Sequence, residues 1–181
     1  MRKNHQTKDT FPMKRIHEPS HFFTVFDSSR VYLPTEKLIS FKPAGLWYGI
    51  YEPALKEKTA SWMDWQTGDC SVTHSFEGMW EILPKEPAVS LEELPAPSRI
   101  LRLASKSEIE AFALLFPSEG IGGTVFPFGN EVAWAIVKQQ CAGIEFHPYI
   151  RGKIRFTHLW YNTVDCSSGC VWDLSSIKVR V

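Results

Sequence analysis

Nothing in these 181 residues runs apolar for the ~20 positions that a membrane-crossing helix needs. The first fifteen residues are polar and basic and lack the apolar core of a secretory signal, so a cytoplasmic protein is expected, in a host cell if it is an effector. Lys plus Arg equals Asp plus Glu at 20 each, which excludes a nucleic-acid binder that works by bulk charge. Only a local basic patch such as 151–155 is left for that role. Four cysteines (Cys70, Cys141, Cys166, Cys170) are too few for a disulfide scaffold and read as reduced thiols. Cys166 and Cys170 have no second Cys or His pair at ligand spacing, so no metal is expected. A nucleophilic role for either with a His base is equally weak. Repeats and low-complexity segments are absent. Gly120, Gly122 and Gly123 lack the strand-to-helix context of a phosphate loop.

What the chain has in quantity is aromatic surface. Aromatics make up 13% of it, with seven Trp and twelve Phe, inside a 44% hydrophobic and 22% charged globular composition. The stretch Lys42-Pro43-Ala44-Gly45-Leu46-Trp47-Tyr48-Gly49-Ile50 sets two aromatics beside glycines. That pattern lets a flat ligand lie on a ring while backbone comes close. The plain alternative is a strand edge with aromatics in the core. Trp62 and Trp65, three residues apart, extend the aromatic signal along one helix face.

The length fits one domain. Residues 1–18 read as a flexible arm and 19–181 as a single α+β domain. Strands are expected at 21–26, within 40–50, and at 72–76, 79–83, 99–103, 142–146, 154–161, 170–172 and 177–181. Helices are expected over 54–66, after Ser105, and over 130–139. Ser105 with Glu108 has capping-box spacing, and Ile109, Phe112, Ala113 and Phe116 form an apolar face. Val132, Ile136 and Trp134 are the packing residues expected of the last helix. Residues 84–97 read as a proline-rich loop with a helical turn at 90–94. The sum is a mostly antiparallel, split sheet with two or three helices.

Three features carry candidate chemistry. Glu145 is a carboxylate between Ile144 and Phe146 in an apolar strand. Alternation either turns it to solvent or makes it a ligand-gripping group on a rigid element. His21 opens the first strand and His17 competes for the same role, that of holding a ribose or phosphate. Asp165-Cys166-Ser167-Ser168-Gly169 is a turn before a buried Trp172, or a loop that completes a site with Asp165 and Ser168 as hydrogen-bonding groups.

The order of these parts resembles an ADP-ribosyltransferase-like domain of the His-Tyr-Glu type. It rests on His21, Gly-Leu-Trp-Tyr at 45–48, the helix that follows and Glu145. The Lys-Pro-x-Gly-Leu-Trp, Gly-Ile-Glu and Ser-Gly-Cys-Val-Trp stretches are also similar to a family of uncharacterised phage and bacterial proteins. The first resemblance implies NAD as a substrate, held by His21, Gly45, Leu46, Trp47, Tyr48 and Trp62. His21 would take a ribose, the Gly45 backbone the nicotinamide amide, and Tyr48 the nicotinamide ring. Glu145 would be catalytic, stabilising the cation that forms as the glycosidic bond breaks. The acceptor would be a protein or nucleic acid, as for a toxin. Gly143 stands where relatives carry a second carboxylate or Gln, which argues against arginine modification. The rival expectation is a non-enzymatic module that holds a nucleotide, base or peptide in the aromatic cleft.

Overall fold

A computed structural model describes residues 13–17, 25–32, 42–52, 78–118 and 132–181. Seven strands form one sheet: β1 (Lys14–His17), β2 (Leu46–Tyr51), β3 (Trp80–Pro84), β4 (Ala96–Leu103), β5 (Cys141–Phe146), β6 (Ser168–Val171) and β7 (Ile177–Arg180). Their spatial order is β4-β5-β6-β2-β1-β3-β7. The α+β class stands, but the sheet is mixed: β4 and β5 run parallel and the other pairs are antiparallel. The parallel pair needs a crossover, and the chain from 104 to 140 supplies it with α1 (Lys106–Leu115) and α2 (Trp134–Gln140).

Four helices are described rather than two or three. The extra pair, α3 (Ile154–Thr157) and α4 (Leu159–Asn162), occupies the segment expected to be a strand. Its aromatic and β-branched residues read as strand by composition. Packing decides otherwise, because Ile154, Trp160 and Tyr161 bury together only when coiled over the sheet. Lys14–His17, read as part of an arm, is a strand between β2 and β3. The expected strand at 72–76, the helix over 54–66 and most of the strand at 21–26 lie outside the described residues.

Local signals are obeyed where the sequence is explicit. Ser105 accepts from the Glu108 backbone N–H at 3.2 Å, and the Glu108 carboxylate accepts from the Ala104 N–H and the Ser105 hydroxyl. This closes the first turn of α1 and aims Ile109, Phe112 and Ala113 at the sheet. The helix before β5 starts at Trp134 with Ala133 as its cap, and it buries Trp134 and Val137. Ile136, expected to pack, is half exposed, because the later start rotates the apolar stripe.

The sheet has an apolar cluster on each face. One gathers Leu101, Leu103, Phe112, Trp134, Ile144, Phe146, Trp160 and Trp172 under the helices. The other gathers Leu46, Tyr48, Ile50, Trp80, Ile82 and Leu174. Strand β5 lies between them, and all six of its residues are buried. No helix among the described residues is long and apolar enough to cross a membrane.

Phe112 sits at the hub of the larger cluster, with ring centroids 5.2, 6.0 and 5.3 Å from Phe116, Trp134 and Trp160. Phe112→Ala should lower unfolding stability by about 3–5 kcal/mol, read from urea midpoints, because the void is lined by rigid rings. A loss well under about 1 kcal/mol would mean that this cluster is not the core.

Candidate active site

The centre of the candidate site is one row of residues across four strands. Arg102 on β4 is the register partner of Glu145 on β5, Glu145 of Gly169 on β6, and Gly169 of Tyr48 on β2. Partners in register project to the same face, so these four share one side of the sheet. Gly169 is the reason that the row closes. A β-carbon there would lie 2.7 Å from Tyr48 Cε2 and closer still to its hydroxyl end. The Tyr48 ring therefore lies across the bare glycine, and its O–H donates to Glu145 Oε1 at 2.8 Å.

Glu145 is 0% exposed and carries a full set of donors. Arg102 gives Nε and Nη2 to Oε2 at 3.1 and 2.8 Å. Arg15 on β1 gives Nε to Oε1 and Nη2 to Oε2 at 3.4 Å. Burial pushes the Glu145 carboxyl up, but Arg15 and then Arg102 outweigh it and hold the group below the usual carboxylate range. Tyr48 moves the other way: burial, then the Glu145 charge, raises its phenol well above 10, so it is a fixed donor. Neither alternative for Glu145, solvent or an open ligand site, describes this ground state. Alternation fails to expose it because β5 is covered on both faces.

Just past the ends of the strands, a second ionisable pair joins the neighbourhood. His147 Nε2 donates to Glu52 Oε2 at 2.9 Å. Burial lowers the His147 pKa, against the opposing pull of Glu52.

The remaining expected site residues converge beside Tyr48. A cavity of about 330 Å³ is lined by Trp47, Tyr48, Asp165 and Ser168 together with His17 and Lys42. Lys42 Nζ stands 5.1 Å from the Trp47 ring, and Asp165 is paired with Arg155 at 2.7 Å. A second cavity of about 330 Å³, lined by Gly45, Leu46, Phe26, Tyr32 and Trp80, shares His17 and Trp47 with the first. His17 Nδ1 donates to the Trp47 carbonyl at 2.6 Å and fixes this shared wall. Gly45 lies close against β6, where a β-carbon would meet the Val171 carbonyl at 2.7 Å. The structure thus joins Trp47, Tyr48, Asp165 and Ser168 around one cavity, but Glu145 lines neither cavity, and by alternation the side chains of Trp47 and Ser168 face the other side of the sheet from the Tyr48–Glu145 contact. His21 and Trp62 lie outside the described residues.

The three described thiols offer no competing centre, and Cys70 lies outside the described residues. Burial pushes Cys141 and Cys166 up to about 12 and raises Cys170 as well, which disfavours thiolate. Among the described residues no group of three or more His, Cys, Asp or Glu stands close enough to hold a metal. Sequence reasoning missed Arg15, Arg102 and Glu52 as site residues. Arg102 had a usable signal, a lone charge between Leu101 and Leu103 like that of Glu145. Arg15 had none, since four residues are too short to show a period.

No protein-family model, curated protein or solved structure matches the chain.

Breaking the buried charge cluster should cost more than any surface change. Glu145→Gln should lose about 3–5 kcal/mol near neutral pH, because two guanidiniums keep only a neutral partner. The folded carboxyl titrates below its unfolded value of 4.5, so its stabilisation exists above that pH and is lost as pH falls through the folded value. The stability gap between wild type and Glu145→Gln should therefore narrow in acid. A gap that stays constant down to acid unfolding would show that Glu145 is not held ionised.

Gly169→Ala tests the row itself. It should lose about 1–3 kcal/mol by urea unfolding, as overpacking forces the Tyr48 ring aside. Unchanged stability would mean that the ring does not cross Gly169.

Proposed function

We propose that the chain is an NAD-dependent ADP-ribosyltransferase. The observation that carries this reading is the meeting of Tyr48 and Glu145 at 2.8 Å, on a strand that also presents Trp47 to the cavity lined by Asp165 and Ser168. Two of the residues that the resemblance pairs in function, 97 positions apart in sequence, are in direct contact, which supports this reading. The two cavities, meeting at His17 and Trp47, suit a ligand made of two flat halves joined by a linker. Trp47 is a partly buried ring in the cavity wall, whereas Tyr48 is only 3% exposed and acts through its hydroxyl.

In this reaction the bond from ribose C1′ to the nicotinamide nitrogen breaks, and its electron pair leaves with nicotinamide. Positive charge grows on the ribose. An ionised carboxylate placed at the ribose in a dry, low-dielectric site stabilises that charge more than it stabilises the ground state, in which the charge sits on the nicotinamide ring. Arg15 and Arg102 keep Glu145 ionised at neutral pH, and Tyr48 fixes its orientation. For Glu145 to take a ribose hydroxyl, one of its present bonds has to open. The acceptor in this reading is a protein or nucleic acid in the cytoplasm.

One observation favours a second reading, a binding module without turnover. Every lone-pair direction of Glu145 is committed to Arg15, Arg102 or Tyr48, as for a purely structural charge cluster.

Nicotinamide release and NAD-dependent melting shifts, measured side by side on wild type and Glu145→Gln, separate the two. The transferase should release nicotinamide, with the rate falling about 100-fold or more in the variant, the scale of losing one electrostatic stabiliser. A melting shift with no release from either protein would support the binding module. No release and no shift would overturn both readings for NAD.

A further inference from the structure

We propose that Glu52 and His147 form a carboxylate–imidazole base for a hydroxyl acceptor, so that the group receiving ADP-ribose is an alcohol or water rather than a guanidinium or a thiol. This inference rests on the transferase reading above.

Glu52 follows β2 directly and His147 follows β5 directly, so both are anchored by strands that also carry Tyr48 and Glu145. By alternation Glu52 continues the series of Tyr48 and Ile50, and His147 the series of Gly143 and Glu145, so the pair stands on the face of the charged row. The Nε2–H of His147 goes to Glu52 Oε2 at 2.9 Å, which leaves the lone pair of the neutral ring on Nδ1. That Nδ1 is buried and has no hydrogen-bond partner among the described residues. Buried polar atoms are rarely left so, and an acceptor with no donor is what a site for an incoming O–H looks like before it is filled.

The electrostatics agree. The charged groups acting on the ring are Glu52 beyond β2, Arg102 on β4 and Glu145 on β5. Burial and Arg102 oppose protonation, while Glu52 and Glu145 favour it, and the balance lies below the usual histidine value of 6.5. The ring is therefore neutral at pH 7, as a base must be, and Glu52 stands ready to stabilise the imidazolium that forms.

The step balances without another reagent. The C1′–nitrogen bond of NAD breaks and its electron pair leaves on nicotinamide. An acceptor oxygen forms the new C1′–O bond. The proton of that hydroxyl passes to His147 Nδ1 and is later lost to solvent. A guanidinium, cationic at neutral pH, would need a far stronger base than a neutral imidazole.

The test uses the full chain with NAD in water, in water with methanol, and in water with agmatine as a guanidinium acceptor. Wild type, His147→Gln and Glu52→Gln are followed by mass spectrometry and nicotinamide release between about pH 5 and 8. Wild type should give ADP-ribose and, with methanol, its O-methyl glycoside, with no agmatine adduct. Both variants should lose rate, His147→Gln by about 100-fold or more. The fall in wild-type rate on the acid side should disappear in His147→Gln. An agmatine adduct, or a wild-type rate and pH profile in His147→Gln, would overturn the inference while nicotinamide release still upheld the transferase. Glu52→Gln keeps an acceptor for Nε2 and answers the question if His147→Gln fails to fold. Absence of nicotinamide from wild type would remove the transferase reading, and this inference with it.

Discussion

An ionised carboxylate buried out of water is the constraint on which the rest of this structure depends. Moving a carboxylate into a protein interior costs several kcal/mol even after relaxation, and only close, well-aligned donors offset it. Glu145 gets two guanidiniums and a phenol. Each donor comes from a different strand: Arg15 from β1, Tyr48 from β2 and Arg102 from β4. The carboxylate thus ties together elements that are far apart in sequence, and it does so through β5, which is covered on both faces. A cluster of this kind is weak evidence for stability in itself. Its value lies in specifying one register and one geometry, because a slip of a single residue on any of these strands would leave a charge unpaired.

The geometry of the row follows from what is missing as much as from what is present. Gly169 supplies no side chain, and the Tyr48 ring uses the vacant space to cross a whole strand. On the opposite face the aromatic cluster around Phe112 and Trp160 holds β4 and β5 against the helices. The two faces divide the work. One provides apolar burial that makes the strands immobile, and the other uses that immobility to hold a charge, a phenol and a histidine in fixed relation. Sites on strands gain their precision in this way.

Much of the fold was legible in the sequence, and the reasons are local. The Ser105–Glu108 cap, the apolar face of α1 and the strands at 79–83, 99–103 and 142–146 all carry their signals within a few residues. The segment 154–161 did not, because Phe156, Trp160 and Tyr161 fit a strand by composition and only contact with the sheet makes them helical. The parallel pairing of β4 and β5 was equally hidden, since it depends on a crossover whose helices say nothing about direction. In the site, Tyr48, Trp47, Asp165 and Ser168 stood out by residue type and do share a cavity. The partners of Glu145 could not be read. Arg15 lies in four residues of strand preceded by a polar stretch, and its approach to Glu145 spans 130 positions. Pairings across that separation are set by sheet order, which no periodicity encodes.

The same face carries the Glu52–His147 pair, so the charged row and the imidazole belong to one polar centre rather than to two. Arg102 and Glu145 act on the histidine as well as on each other. In the proposed reaction a held carboxylate, a fixed phenol and a neutral imidazole would act together, as one glycosidic bond breaks and another forms. The measurement that tests this most directly is a crystal structure of the full chain grown with NAD. The nicotinamide-side ribose is expected within hydrogen-bond reach of Glu145, with one arginine contact to Glu145 opened. A crystal with NAD bound elsewhere, or with Arg15, Arg102 and Tyr48 still closed on Glu145 at saturating NAD, would contradict it.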